Sequence, residues 1–192
     1  MAAANYYVLG LSVKPRRWMD TVPYIEDVSF MEGTKITNPV PDPVMCELET
    51  LNPDASDHGP LLPAVLNTFS EPLFRDDFIE ALRTAGVDNF DLYNTAVRDP
   101  DNGQTYTNYK LFNLLGVIAA ADMKKSKATY TGPPLIDVAF DELVVDPLKA
   151  GGLLMFRLAE ATATILVHEA VRDSLGGKFD DLEFYSPGEV AI

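Results

Sequence analysis

LLMFRLAEATATILVHEAVRDSL, Leu153 to Leu175, is the best-patterned stretch of the chain. Leu153–Leu158 is a short apolar run and reads as a strand. A polar, Thr-rich turn follows. From about Thr164 to Leu175, Leu166, Ala170 and Val171 share one face of a helix while His168, Arg172 and Asp173 stay polar. Gly176-Gly177 supplies the stop. A strand running into an amphipathic helix is packing framework rather than chemistry.

Asn5–Val13 (NYYVLGLSV) is rich in β-formers and predicts the first strand. Lys14, Arg16 and Arg17 follow that apolar run instead of preceding it, so no signal peptide is expected. No apolar run reaches the roughly 20 residues of a membrane-spanning helix.

Residues 30–63 carry Pro39, Pro41, Pro43, Pro53, Pro60 and Pro63. Proline fixes φ and removes a backbone donor, so neither a long helix nor a central strand is expected there. The stretch predicts an extended arm with short strands near Lys35–Thr37 and Val44–Leu48, and Pro39-Val40-Pro41-Asp42-Pro43 favours polyproline II geometry. A boundary is placed near residues 58–66. It gives residues 1–62 as strand plus arm and 63–192 as the main α and β domain.

Ser70 as cap, Pro72 in the first turn, and Phe74, Phe78 and Leu82 at helical spacing predict the clearest helix, stopped by Gly86. Strands are expected at Val87–Tyr93, across Tyr106–Asp122 in two segments, within Leu135–Val145, and at Leu182–Tyr185. Strands do not alternate regularly with helices, which disfavours a doubly wound parallel sheet. The expected fold is α+β: a mixed or mainly antiparallel sheet, at least two packed helices and a Pro-rich extended arm.

Motifs for chemistry are missing. His168-Glu169 would need a second His at position 172 to form a zinc-protease helix, and Arg172 stands there. His58 lies alone in a loop. Asp99-Pro100-Asp101-Asn102-Gly103 breaks the calcium-loop spacing and reads as a tight turn. Cys46 is the single cysteine, so no intrachain disulfide forms, in keeping with a reducing cytoplasm. It reads as a small buried thiol. No Gly-rich phosphate loop and no Gly-x-Ser-x-Gly elbow occurs. The sequence therefore nominates no catalytic, cofactor-binding or metal-ligating residue.

The charge balance is informative. Fifteen Lys and Arg stand against 29 Asp and Glu, a formal net charge of −14. Such a surface repels nucleic acid and anionic membrane, and it attracts a basic protein. Asp42, Glu47, Glu49, Asp54 and Asp57 lie on the proline-stiffened stretch and are the candidate partner-binding residues.

One resemblance spans most of the chain. Tyr6-Tyr7-Val8-Leu9 is followed by Trp18, then by the helix Leu73–Leu82 leading through Gly86-Val87 to Phe90–Tyr93. Next come Tyr109, Leu111 and Asn113, Gly116-Val117, Asp122 and Ser126. Met155-Phe156-Arg157-Leu158 and Val167–Leu175 complete the order. From Tyr6 to about Phe184 this resembles the bacterial immunity-protein domain numbered eleven among the Imm families of polymorphic toxin systems. The resemblance implies a cytoplasmic protein, not an enzyme and without cofactor, that neutralises a cognate toxin by direct binding. It implies no catalytic residue, and it leaves a homo-oligomer open. Asn113, Asp122 and Arg157 are its polar motif positions, read first as hydrogen-bonding groups that fix strand ends. Two readings from other classes stand beside it. A hydrolase with spatially paired carboxylates would show two acids in one pocket, and a self-associating scaffold would show a large apolar two-fold face.

Overall fold

The computed structural model describes residues 5–11, 19–51, 62–68, 70–189 and 191–192. The described residues form fourteen strands and two α-helices in an α+β arrangement with mixed sheets. In chain order the strands are β1 Tyr6–Leu11, β2 Met19–Thr21, β3 Val44–Leu48, β4 Val65–Asn67 and β5 Leu73–Arg75. Helix α1, Asp76–Thr84, follows. Then come β6 Phe90–Arg98, β7 Thr105–Tyr106, β8 Tyr109–Leu114, β9 Val117–Ile118, β10 Lys127–Thr129 and β11 Ala139–Glu142. Strands β12 Met155–Leu158 and β13 Ala161–His168, helix α2 Glu169–Leu175 and β14 Leu182–Tyr185 close the order.

One sheet runs β14-β1-β13-β12-β9, with β9 parallel to β12 and the other pairs antiparallel. The larger sheet has seven strands, β2-β3-β6-β8-β5-β4, with β7 also paired to β6. Its β3–β6 pair is parallel. β10 and β11 form a separate hairpin.

The two sheets share a core. Phe74, Phe112 and Leu114 from the larger sheet meet Leu9, Met155, Ile165 and Val167 from the smaller one. Phe78, Ile79 and Leu82 of α1 and Val171 and Leu175 of α2 join the same cluster. A second cluster lies under the β10–β11 hairpin around Phe140 and Phe156. A third covers the opposite face of the larger sheet, where Val22, Ile25, Val28, Phe30, Ile36 and Val40 pack over Val44, Cys46, Val97 and Leu111.

The structure corrects several expectations. The helix expected from Thr164 begins only at Glu169, because Ala161–His168 is a strand between β1 and β12. Its Thr, Ile and Val are stiff at χ1 and fit a pleated surface flanked on both sides. Leu166 therefore faces the hairpin cluster, not a helix stripe. The helix expected from Ser70 begins at Asp76, since Leu73–Arg75 is captured as a strand between β4 and β8. Arg75 occupies the N-cap position, and its side chain makes no capping bond. Val44–Leu48 is an inner strand, between β2 and β6, so the Pro-rich stretch does hold a strand paired on both edges. Pro43 ends just before the paired residues, so its missing donor costs the ladder nothing. Lys35–Thr37 is not a strand. The Gly86 stop stands, at φ 92° just past α1.

Residues 1–62 supply β1, β2 and β3, and β1 and β3 are hydrogen-bonded to strands from residues 63–192. The Pro-rich stretch is tethered at both ends of its described part. At the first end, Gly116 donates its backbone N–H to Gly33 O at 2.8 Å and the Asn113 amide donates to Thr34 O at 2.8 Å. At the second end, three side chains seize three consecutive residues. Arg75 Nη1 donates to Leu62 O at 2.7 Å, the Tyr109 hydroxyl donates to Pro63 O at 2.6 Å, and Asp181 Oδ2 accepts from Ala64 N at 2.6 Å.

Candidate functional site

β3 alternates strictly. Val44, Cys46 and Leu48 point into the core, and Met45 and Glu47 point out. The parallel register places Met45 beside Ala96 and Glu47 beside Arg98. Side chains in register on neighbouring strands share a face, so Met45, Glu47, Ala96 and Arg98 stand together. Asn94, two residues before Ala96, belongs to the same face, as does its cross-strand partner Lys110. This face carries the core further along β6, at Phe90 and Leu92. Beyond Asn94 it runs out from under that core.

The exposed part is an apolar spot within a charged frame. Met45 is 59% exposed, high for a large apolar side chain on an inner strand. Asp42 accepts from Asn94 Nδ2 at 2.9 Å, Glu47 faces Arg98 Nη1 at 3.6 Å, and Asp76 faces Lys110 at 3.3 Å. A surface cavity of about 370 Å³ opens between Thr21, Met45, Cys46, Glu47 and Arg98. Asp20 precedes the lining residue Thr21, at an irregularity in the β2–β3 pairing. The Thr21 hydroxyl donates to Asp20 Oδ2 at 2.9 Å.

Of the five acids read as partner-binding, the structure brings Asp42 and Glu47 onto this one face. Glu49 is exposed just past the end of β3. Asp54 and Asp57 lie outside the described residues. Sequence reading missed Thr21, Met45, Asn94 and Arg98, which the pairing of β2, β3 and β6 brings together. The alternation of apolar and polar residues over Val44–Leu48 was the signal available for Met45 and Glu47.

The three polar motif positions serve the framework. Asn113 is fully buried and holds Thr34, while its Oδ1 has no hydrogen-bond partner among the described residues. Arg157 is fully buried, its Nη1 donates to Thr162 O at 2.8 Å, and burial pushes its pKa down to about 10. Asp122 braces a turn by accepting from Lys124 N, and the Lys125 ammonium beside it holds its carboxyl below the usual range.

The remaining candidates are equally structural. His168 ends β13 and caps α2, its Nδ1 accepting from Ala170 N at 3.1 Å. Cys46 is buried in the third cluster, and desolvation followed by the Glu71 charge raises its thiol to about 11, which leaves it protonated and inert at neutral pH. Asp99–Gly103 is a tight turn closed by Gly103 N on Asp99 O. No grouping of His, Cys, Asp and Glu suited to a metal ion occurs among the described residues. The two other cavities described, of about 370 and 490 Å³, carry one acid (Asp173) and none. No helix is long and apolar enough to cross a membrane among the described residues.

The chain matches no known protein-family model, and no curated protein is significantly similar to it.

Proposed function

We propose that the chain is an immunity protein that binds a cognate bacterial toxin or effector domain and blocks it by covering its surface, without catalysis or cofactor. The observation that carries this reading is the solvent-facing patch of β3 and β6. Met45 stands exposed among Asp42, Glu47 and Arg98 on strands that the core holds rigid. A preformed apolar spot with a charged rim is the form of a protein-binding surface, because little entropy is lost on docking. The motif order from Tyr6 to Phe184 supports the same reading.

The charge of −14 favours a basic partner and fast encounter. In this proposal the Pro-rich stretch is an extended arm stiffened before binding. Glu49, and Asp54 and Asp57 beyond it in sequence, continue the acidic series. The protein acts in the cytoplasm of the producing cell, where it meets the toxin before release. Self-association is compatible with this role.

Co-expression with the neighbouring toxin gene tests the proposal. The expected result is rescue of growth and a complex that co-elutes on size exclusion. A toxin that stays lethal, with no complex, overturns it.

A further inference from the structure

The Glu47–Arg98 pair is poorly made for a structural salt bridge. The closest approach of the two side chains is 3.6 Å, beyond hydrogen-bond distance, and they are 40% and 61% exposed. Pairs of that kind contribute little to stability, because water screens them and two long side chains must be ordered. Yet the pair lines the cavity between β2, β3 and β6 together with Met45 and Thr21, whose hydroxyl bonds Asp20. An exposed acid and an exposed thioether lining one cavity, with a second carboxylate bonded to its Thr21, make a site for a cation attached to an apolar stem.

Building on the proposed toxin-binding role, we infer that this cavity receives an arginine side chain from the partner, and that Arg98 is the internal cation it displaces from Glu47. A guanidinium entering from outside can bond the carboxylate in a bidentate fork, which Arg98 at 3.6 Å does not achieve. Its methylene stem lies against Met45, which thereby loses its exposed apolar surface. Asp20, bonded to the Thr21 hydroxyl, adds a further negative charge next to a lining residue. Arg98 then has two effects. It keeps Glu47 occupied in the free protein, and it opposes any cationic partner too weak to displace it, which is a device for specificity.

Arg98 should respond with an unusual sign, since deleting an interface arginine normally weakens binding. Arg98→Ala is expected to tighten the complex with the neighbouring gene's toxin domain about fivefold in titration calorimetry, as removal of a competing charge does. Glu47→Gln is expected to weaken it about tenfold or more, the scale of losing a buried charged pair. Arg83→Ala is the control for overall charge. Arg83 pairs with Glu80 on α1 and stacks over Phe90 at the opposite end of β6, about 26 Å from Arg98 at strand spacing. That variant carries the same change of charge and is expected to leave affinity within about twofold, as a screened distant charge does.

Circular dichroism establishes that each variant is folded before titration. If the wild-type chain forms no complex, the toxin-binding reading falls. If the wild type binds, but Glu47→Gln binds equally well or Arg98→Ala binds more weakly, the arginine site falls and the toxin-binding reading stands.

Discussion

Asn113, fully buried on β8, donates its side-chain amide to the Thr34 carbonyl 79 residues earlier. The bond ties the cover of the third core cluster to an inner strand of the larger sheet. Asn113→Ala is expected to lower unfolding stability by about 1–2 kcal/mol, from the lost bond and the small cavity left behind. Hydrogen exchange over residues 30–40 should rise with it. Denaturation within experimental error of wild type would show the bond to be incidental.

Gly33 makes the neighbouring contact and depends on having no side chain. Its φ is 66°, and a Cβ there would lie 2.6 Å from Val117 Cγ2 and 2.8 Å from Val117 N. The second atom is backbone in a paired strand and cannot swing away. Gly33→Ala therefore combines left-handed strain with a clash, and a loss of about 2–4 kcal/mol is expected in urea denaturation. Gly103→Ala is the comparison, because its φ is also positive but nothing lies within 4 Å of the added Cβ. It should cost about 1 kcal/mol, the conformational part alone. Equal losses at the two positions would show that crowding at Gly33 is relieved.

The legibility of this chain follows from the range of the interactions. Apolar strands with β-formers, such as Tyr6–Leu11 and Leu182–Tyr185, and glycine helix stops, at Gly86 and Gly176, are local signals, and they read true. The errors lie where tertiary pairing overrode a local pattern. Thr164–His168 has helical spacing, but its β-branched residues are claimed by strands on both sides. Ser70 and Pro72 form a good helix start, yet Leu73 and Phe74 gain more from the β5–β8 ladder, and the start slides to Asp76. In the candidate site, Glu47 was legible as an acid on a stiff stretch. Its counterpart Arg98 was not, since the parallel β3–β6 register joins residues 51 apart and leaves no local trace.

The clamp on residues 62–64 offers a third test. Tyr109 is fully buried, and its hydroxyl bonds the Pro63 carbonyl at 2.6 Å. Burial raises the pKa of that phenol, with the Arg75 charge acting in the opposite sense. The hydroxyl therefore remains a proton donor throughout the pH range of ordinary measurements. Tyr109→Phe keeps the ring and removes the donor, so a loss of about 1–2 kcal/mol is expected, nearly independent of pH between 6 and 9. A loss that appears only at alkaline pH would show that the phenol is ionised, contrary to its burial.

Glu160 supplies the pH-dependent prediction. It lies in the β12–β13 turn and is 3% exposed, with Oε2 unbonded among the described residues. Burial raises its carboxyl pKa, while backbone N–H groups of Glu160 and Ala121 and the Lys149 ammonium pull it down. A folded-state pKa above the unfolded value means that folding favours the protonated form. Glu160 thus carries no penalty below the unfolded pKa near 4.3, and stability is lost as pH rises through the unfolded and then the folded value. Glu160→Gln cannot ionise and lacks that loss. Measured by urea denaturation from pH 4 to pH 8, the stability difference between variant and wild type should move in the variant's favour across that window and then level off. The turn also carries the Glu160 carbonyl that accepts from Val138 N of the hairpin segment at 2.8 Å, so the gain should appear as slower exchange at Val138. A difference that stays flat with pH, or moves against the variant, would mean that the carboxyl is ionised in the folded state at no cost.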